Sequence, residues 1–259
     1  MSRRRRALLG SATALLLAAC AGTGGPEGSQ HAGAAPAARP DAEPSSGLAP
    51  EPAEGLLWRI DPAASLLQVL AFRQGALAGL GHNHVLTAPR LQGWLQLAAD
   101  AADPTRLSPA QLARTRFALA LRLEDMALDE PARRAQLGPA FASRPDAQAI
   151  AGTRANLLGP ALLDATRHPW LRVQSVVLRG EGAQVLAEVE IDWHGQQRRW
   201  RLPLALAMTP SAEGQVLRVQ GQMALRLTDF GIQPLSLLGG MLAVQDDIGV
   251  TLDLALRPR

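Results

Sequence analysis

The sequence predicts a mainly β domain, an eight-stranded antiparallel β-barrel with one or two short helices, preceded by an export signal and a disordered linker. Three observations carry this prediction. From Leu56 onward, apolar residues recur at every second position in about eight separate runs, the pattern of strands with one buried face. Helical candidates are too few to cover an open sheet, so the sheet is expected to close on itself. Hydrophobic residues make up 47% of the 259 residues and charged ones 19%, which is enough apolar content for a core and too much for a disordered chain.

The first nineteen residues have the form of an address. Arg3, Arg4, Arg5 and Arg6 precede Ala7–Ala19, an uncharged apolar run too short for a comfortable membrane span but the right length for a secretory signal. It ends in Leu17-Ala18-Ala19-Cys20, which resembles the lipobox of bacterial lipoproteins. Cys20 is the only cysteine of the chain, so it can form no internal disulfide, and it stands where lipidation requires it. Several acyl chains on one residue anchor stably where a single chain holds marginally. Ala21 in place of an aspartate resembles the outer-membrane sorting pattern, so the expected location is the periplasmic face of the outer membrane. Ser2-Arg3-Arg4 admits the twin-arginine route as well as the general one. Removal of the four signal arginines takes the net charge from +3 to −1, which leaves no electrostatic basis for binding nucleic acid or an anionic membrane surface. Residues 20–55 are Gly, Pro, Ala, Ser and Glu with almost no large apolar side chain, the composition of a flexible tether, with His31 a solvated residue within it. The folded domain is expected over residues 56–259.

Its elements follow in order. Leu67, Val69 and Ala71 share one face, and Leu91, Gly93, Leu95 and Leu97 oppose Gln92 and Gln96. Phe117, Leu119, Leu121 and Leu123 alternate with Arg116, Arg122 and Glu124. Helices are expected over roughly Pro131–Leu137 and Ala149–Ala165, the second carrying Leu157, Leu158, Leu162 and Leu163, with Pro169 marking its exit. Leu171, Val173, Ser175 and Val177 form the next row, then Val185, Ala187, Val189, Ile191 and Trp193. His194-Gly195 is a hairpin turn, because glycine supplies the positive φ that tight hairpins require. Trp200 to Met208, Leu217 to Leu227 and Ile248 to Leu256 complete the set. A packed β-sandwich would bury the same rows. The shortage of helices favours the barrel, and eight strands enclose a space just wide enough for one elongated small ligand.

Three stretches carry a resemblance to a known family. The first is Trp58-Arg59-Ile60-Asp61-Pro62 with Ser65 and the row that follows it. The second is Arg167-His168-Pro169-Trp170-Leu171-Arg172-Val173-Gln174-Ser175 after a helix, with Ile191-Asp192-Trp193-His194-Gly195. The third is Leu225-Arg226-Leu227-Thr228-Asp229-Phe230-Gly231-Ile232 followed by the strand ending at Leu256. In order and spacing these resemble the YceI family of exported lipid-binding proteins. The resemblance implies a lipocalin-like barrel whose apolar lumen holds a polyisoprenoid chain, such as a quinone tail or prenyl precursor, with no other cofactor and no catalysis. Two features depart from the family pattern. Ala64 stands where a histidine commonly precedes the serine, and the stretch from Asp125 to Arg154 is longer and more irregular.

The residues expected to face that ligand are Val69, Leu95, Leu119, Val173, Val189, Trp193, Leu204, Gly221, Met223 and Leu252. Aromatics are only 3% of the chain, and Ala71, Gly93, Ser175, Ala187 and Gly221 fall on inward rows, which favours a pocket over a filled centre. A homodimer is compatible with all of this. The alternative function centres on Gly81-His82-Asn83-His84. On a strand His82 and His84 would share a face, and two imidazoles could bind a transition metal or serve redox chemistry if a third ligand came from His168, Asp164 or His194. Otherwise these histidines are rim residues bonded to backbone or water. No nucleophile elbow, His-Glu-x-x-His helix or phosphate loop occurs, and Asp246-Asp247 is explained by a loop before the last strand.

Overall fold

The computed structural model describes residues 47–212 and 214–259. They contain twelve strand segments: β1 (Leu56–Ile60), β2 (Leu66–Gln74), β3 (His84–Thr87), β4 (Gln92–Leu97), β5 (Arg116–Arg122), β6 (Ala127–Leu128), β7 (Trp170–Glu181), β8 (Gln184–Trp193), β9 (Gln196–Ser211), β10 (Gly214–Arg226), β11 (Ser236–Leu237) and β12 (Leu242–Pro258). Hydrogen bonding runs in the order β1-β4-β5-β7-β8-β9-β10-β12 and returns to β1, all antiparallel, so the sheet is a closed barrel. Closure removes the unpaired edges that an open sheet would present.

The segments reduce to eight staves. β1 and β2 pair with successive parts of β12, so they are one stave interrupted at Pro62–Ala64. In the same way β3 with β4, and β5 with β6, are two staves broken by short turns. The first break has a local cause. Pro62 supplies no N–H, and the Asp61 carboxylate accepts the N–H groups of Ala63 and Ala64. Ser65 Oγ donates to the Asp61 carbonyl at 2.7 Å and accepts the Ala255 N–H at 2.9 Å, while Arg257 Nε meets Asp61 at 2.9 Å. The Asp-Pro-x-x-Ser motif is therefore a corner stitched to β12, and it works without a histidine at position 64.

The inward rows lie where the alternation places them, with one local shift. Between Ser175 and Val177 the register with β8 slips by a residue. Leu178, rather than Val177, is buried toward the centre beyond that point, because a bulge turns every following side chain to the opposite face. The hairpin at His194 and Gly195 has φ of 54° and 71°, the two positive values of a type I′ turn.

Three short helices sit in the connections: α1 (Pro109–Arg114), α2 (Pro131–Ala135) and α3 (Ala147–Leu158). α1 was not expected, yet Ser108-Pro109 with Gln111 forms a reciprocal capping box. α3 starts two residues before the expected helix, at its Asp146 cap, and stops at Gly159 instead of Ala165. Gly159 accounts for the early stop, and turns follow it that bury Leu163 and Ala165.

Residues 47–55, which composition assigns to the disordered linker, lie against the barrel. Arg172 Nε donates to the Gly47 carbonyl and Trp94 Nε1 to the Ala49 carbonyl, both at 2.8 Å, and Glu51 pairs with Arg59 and Arg259. These attachments use backbone carbonyls and one carboxylate, so a segment whose one large apolar side chain is Leu48 can still be held. The barrel-bound chain thus begins by Gly47, ahead of Leu56. Cys20, the signal and His31 lie outside the described residues. Among those described, no helix is long and apolar enough to cross a membrane.

Candidate functional site

The barrel encloses a cavity of about 270 Å³, close to the lower end of the roughly 300–1,000 Å³ typical of ligand pockets. Its wall is almost wholly apolar. Val69, Leu95, Leu119, Val173, Val189, Trp193, Leu204, Met223 and Leu252 all line it, drawn from eight different strands that the closed sheet brings to one interior. Gly221 does not line it. A Cβ at Gly221 would sit 2.9 Å from Leu204 Cδ2, so the room that the glycine leaves is taken by the leucine branch. Gly93 is filled in the same way, with Ile60 Cδ1 2.5 Å from its would-be Cβ. The open volume therefore does not lie beside these two glycines.

Few polar residues reach the lining: Thr115, Thr153, Asn156 and His84. α3 contributes Thr153, Asn156 and Leu157, and His84 is the first residue of β3. His84 Nδ1 lies 2.6 Å from Asp129 Oδ2. The Asp129 side chain is fully buried, and its Oδ1 accepts the Val85 N–H at 3.0 Å and Arg134 Nη1 at 2.5 Å. Arg134 is buried as well. Its other bonds go to the Asn83 carbonyl at 2.7 Å and to the Ser143 carbonyl and hydroxyl at 3.0 and 2.9 Å. Asn83 is itself fixed, accepting the Arg73 N–H and donating to the Ala140 carbonyl. Burial alone would raise the Asp129 pKa, but hydrogen bonds from His84, the Val85 amide and Arg134 outweigh it and hold the carboxyl below the usual carboxylate range. Asp129 has φ of 53°, a left-handed conformation that aspartate tolerates better than most side chains, and its own N–H is bonded to the Val85 carbonyl.

With Nδ1 bound to a carboxylate, the imidazole of His84 is left with Nε2, for which no partner occurs among the described residues. The indole Nε1 of Trp193 is buried without a hydrogen-bond partner, and its ring packs 5.2 Å from Phe230. Trp193 closes β8 at the end of the barrel where His84 opens β3.

The metal alternative involves two histidine pairs. The His82 and His84 rings are 6.4 Å apart, and His84 commits one nitrogen to Asp129. Of the suggested third ligands, His168 and His194 pack ring to ring at 4.9 Å, His194 Nδ1 is 3.2 Å from the Phe230 carbonyl, and Asp164 lies 3.7 Å from Arg167. Among the described residues no three His, Cys, Asp or Glu side chains converge to hold a metal ion. Asp246 accepts the N–H and hydroxyl of Thr228 and so fixes the turn after β10.

No family model matches the sequence and no curated protein is similar to it. Solved structures are. BcnA of Burkholderia cenocepacia superposes with a TM-score of 0.51 at 11% identity, over 76% of this chain and 98% of BcnA. The two chains share a fold. The stretches that resemble the YceI family occupy its structural corners: the Asp61–Ser65 stitch, the His194-Gly195 hairpin, and the Asp229-Phe230-Gly231 turn, in which Phe230 is fully buried and Gly231 has a φ of 73°. A polyisoprenoid binding domain from Saccharophagus degradans implicated in plant cell wall breakdown is 13% identical over 79% of this chain and 99% of that domain, at a TM-score of 0.49. A Campylobacter jejuni YCEI protein is 9% identical over 64% of this chain and 81% of its own, at 0.41.

Proposed function

We propose that this chain is an exported, lipid-anchored binding protein that holds a polyisoprenoid or quinone-like lipid inside its barrel. The observation that carries the reading is the apolar interior, in which nine of the ten side chains expected at the ligand meet around one cavity. A prenyl chain moved from water into such a space gains roughly 0.8 kcal/mol per methylene, so a long tail binds with few polar contacts. The lipobox ending in Cys20 supports an anchored location at the periplasmic face of the outer membrane, with residues 21–46 as the tether. The role is carriage or storage, without catalysis.

The test is native mass spectrometry of protein purified without detergent from its own membrane fraction, followed by lipid extraction. A stoichiometric prenyl lipid or quinone is the expected result. A stoichiometric metal with no lipid would replace this reading by the one centred on His82 and His84.

A further inference from the structure

Building on the anchored reading, we infer that two joined loops, residues 75–81 and 236–241, form a membrane-contacting tip that rests on the bilayer to which Cys20 would tether the chain. Six large apolar side chains are exposed among the described residues, and four of them fall on these loops: Leu80 at 74%, Leu238 at 63%, and Leu237 and Met241 at 47% each. The loops are one structure. The Leu77 N–H donates to the Met241 carbonyl at 2.7 Å, and a Cβ at Gly75 would collide with that same carbonyl. β11 pairs back onto the start of β12, so the exposed leucines sit on a fixed frame. Neither loop is charged: no Asp, Glu, Lys or Arg occurs from residue 74 to 83 or from residue 230 to 245. The flanking charges are engaged. Arg73 donates to the Gly81 carbonyl, and Asp246 accepts from Thr228 and Arg226. Apolar groups exposed together in this way mark a contact with something outside the fold.

The point at which the chain joins the barrel decides the partner. The carbonyl of Gly47 is held by Arg172, and Arg172 stands opposite Asp192, beside the His194 hairpin. His194 lies against the Phe230 carbonyl just after β10, and Arg226, the last residue of β10, pairs with Asp247 near the start of β12. Gln74, at the end of β2, pairs with Ala243. Gly47 and the two loops therefore share one end of the barrel. β7 leads away from it for 12 residues, about 40 Å of strand, to Glu181 at the other end. Residues 21–46 number 26, and a chain of that length has an end-to-end distance of about 25–30 Å. An anchor at Cys20 thus keeps the loop end nearer the lipid than the Glu181 end. A second copy is the weaker occupant, because the four side chains expose roughly 400 Å², about half the ~800 Å² that each partner of a stable dimer buries. A bilayer needs no matched surface, and a few apolar side chains entering its head-group boundary bind in proportion to the area they bury. Leu235 and Val244, at the feet of the second loop, line the cavity, so the tip continues the interior wall.

The experiment uses the Cys20→Ser protein, which has no thiol and no acyl chain, so that any binding belongs to the loops. Ser236→Cys on the tip, or Glu181→Cys in the exposed turn at the other end, then supplies a single site for the environment-sensitive fluorophore nitrobenzoxadiazole. With vesicles of phosphatidylethanolamine and phosphatidylglycerol, the label at position 236 is expected to brighten and shift to the blue, while the label at position 181 stays unchanged. The tip signal should persist in high salt, because the loops carry no charge to be screened. Leu80→Gln and Leu238→Gln together should lower the vesicle partition coefficient about tenfold or more, with the far-UV circular dichroism unaltered. No tip signal, an equal signal at both ends, or a signal abolished by salt would overturn the inference. A dimer that these two glutamines dissociate in analytical ultracentrifugation would also overturn it, by assigning the patch to a second copy. Cell fractionation tests the anchor separately: wild-type protein in the soluble fraction would strike that reading and not the vesicle result.

Discussion

His84 and Asp129 are 45 residues apart in sequence and 2.6 Å apart in space, Nδ1 to Oδ2, and His84 stands in the wall of a largely apolar cavity. The carboxylate neither faces solvent nor stands alone. It joins the start of β3, the N–H of Val85 and the buried guanidinium of Arg134 into one unit.

Breaking this unit should be expensive. Asp129→Ala leaves Arg134 buried without its counter-charge, and losing one partner of a buried pair costs about 3–5 kcal/mol. Urea unfolding at pH 7 measures this directly. A loss below about 1 kcal/mol would show that Arg134 finds other compensation.

The same carboxyl makes stability depend on acid. Its pKa is lower in the folded chain than in the unfolded one, so its contribution is complete above the unfolded value near pH 4 and is lost as pH falls through the folded value. The stability gap between wild type and Asp129→Asn should therefore narrow below about pH 4. Parallel unfolding curves from pH 7 down to pH 2.5 test it, and a gap of constant size would contradict the linkage.

On the proposed function, filling the lumen should expel the lipid without unfolding the barrel. Met223 lines the cavity and is only partly buried, so Met223→Trp can project into the open volume at a cost of about 1–3 kcal/mol. Lipid recovered after purification should fall to trace amounts while the far-UV circular dichroism stays that of a β protein. Undiminished lipid would place the ligand elsewhere.

Two glycines should respond differently to a methyl group. At Gly93 the new Cβ meets Ile60 Cδ1 at 2.5 Å and the Ala118 carbonyl at 2.8 Å, and that carbonyl belongs to the backbone of β5. At Gly221 the nearest atom is the end of the Leu204 side chain at 2.9 Å, and a side chain can turn. Gly93→Ala should lower stability by about 1–3 kcal/mol and Gly221→Ala by less. Thermal unfolding of the pair decides the order, and equal losses would refute it.

Cys20→Ser should leave the barrel folded and release the protein into the soluble periplasmic fraction, because the proposed anchor depends on that one thiol. Membrane fractionation unchanged from wild type would exclude the lipobox reading.

The barrel was legible in the sequence because each strand buries one face, and burial of one face leaves a period of two. Rows such as Val185 to Trp193 and Ile248 to Leu256 need no further information. The bulge at Ser175 was not legible, since both Val177 and Leu178 are apolar and either could take the inward place. α1 was readable in principle from Ser108-Pro109 with Gln111, but six residues make too short a helix to leave a periodic trace. His84 drew notice as half of a histidine pair, whereas its real partner lies in the irregular stretch after β6. Nothing in the local pattern around Asp129 or Arg134 shows that both are buried, because their environment is supplied by Asn83, Val85 and Ser143 from other segments.

The three interrupted staves give the wall two sides of unequal stiffness. β7, β8, β9, β10 and β12 are unbroken over 10 to 17 residues, whereas the first three staves are assembled from segments of 2 to 9. A hydrogen-bonded ladder that is repeatedly cut separates in small steps, each at a fraction of the cost of parting a long one. Thermal breathing is therefore concentrated on the arc from β1 to β6, and the opposite arc behaves as a fixed shell. Amide protons on β3, β4 and β6 should exchange ahead of those on β8 and β10, and the seam along which the interior first meets the outside runs beside His84.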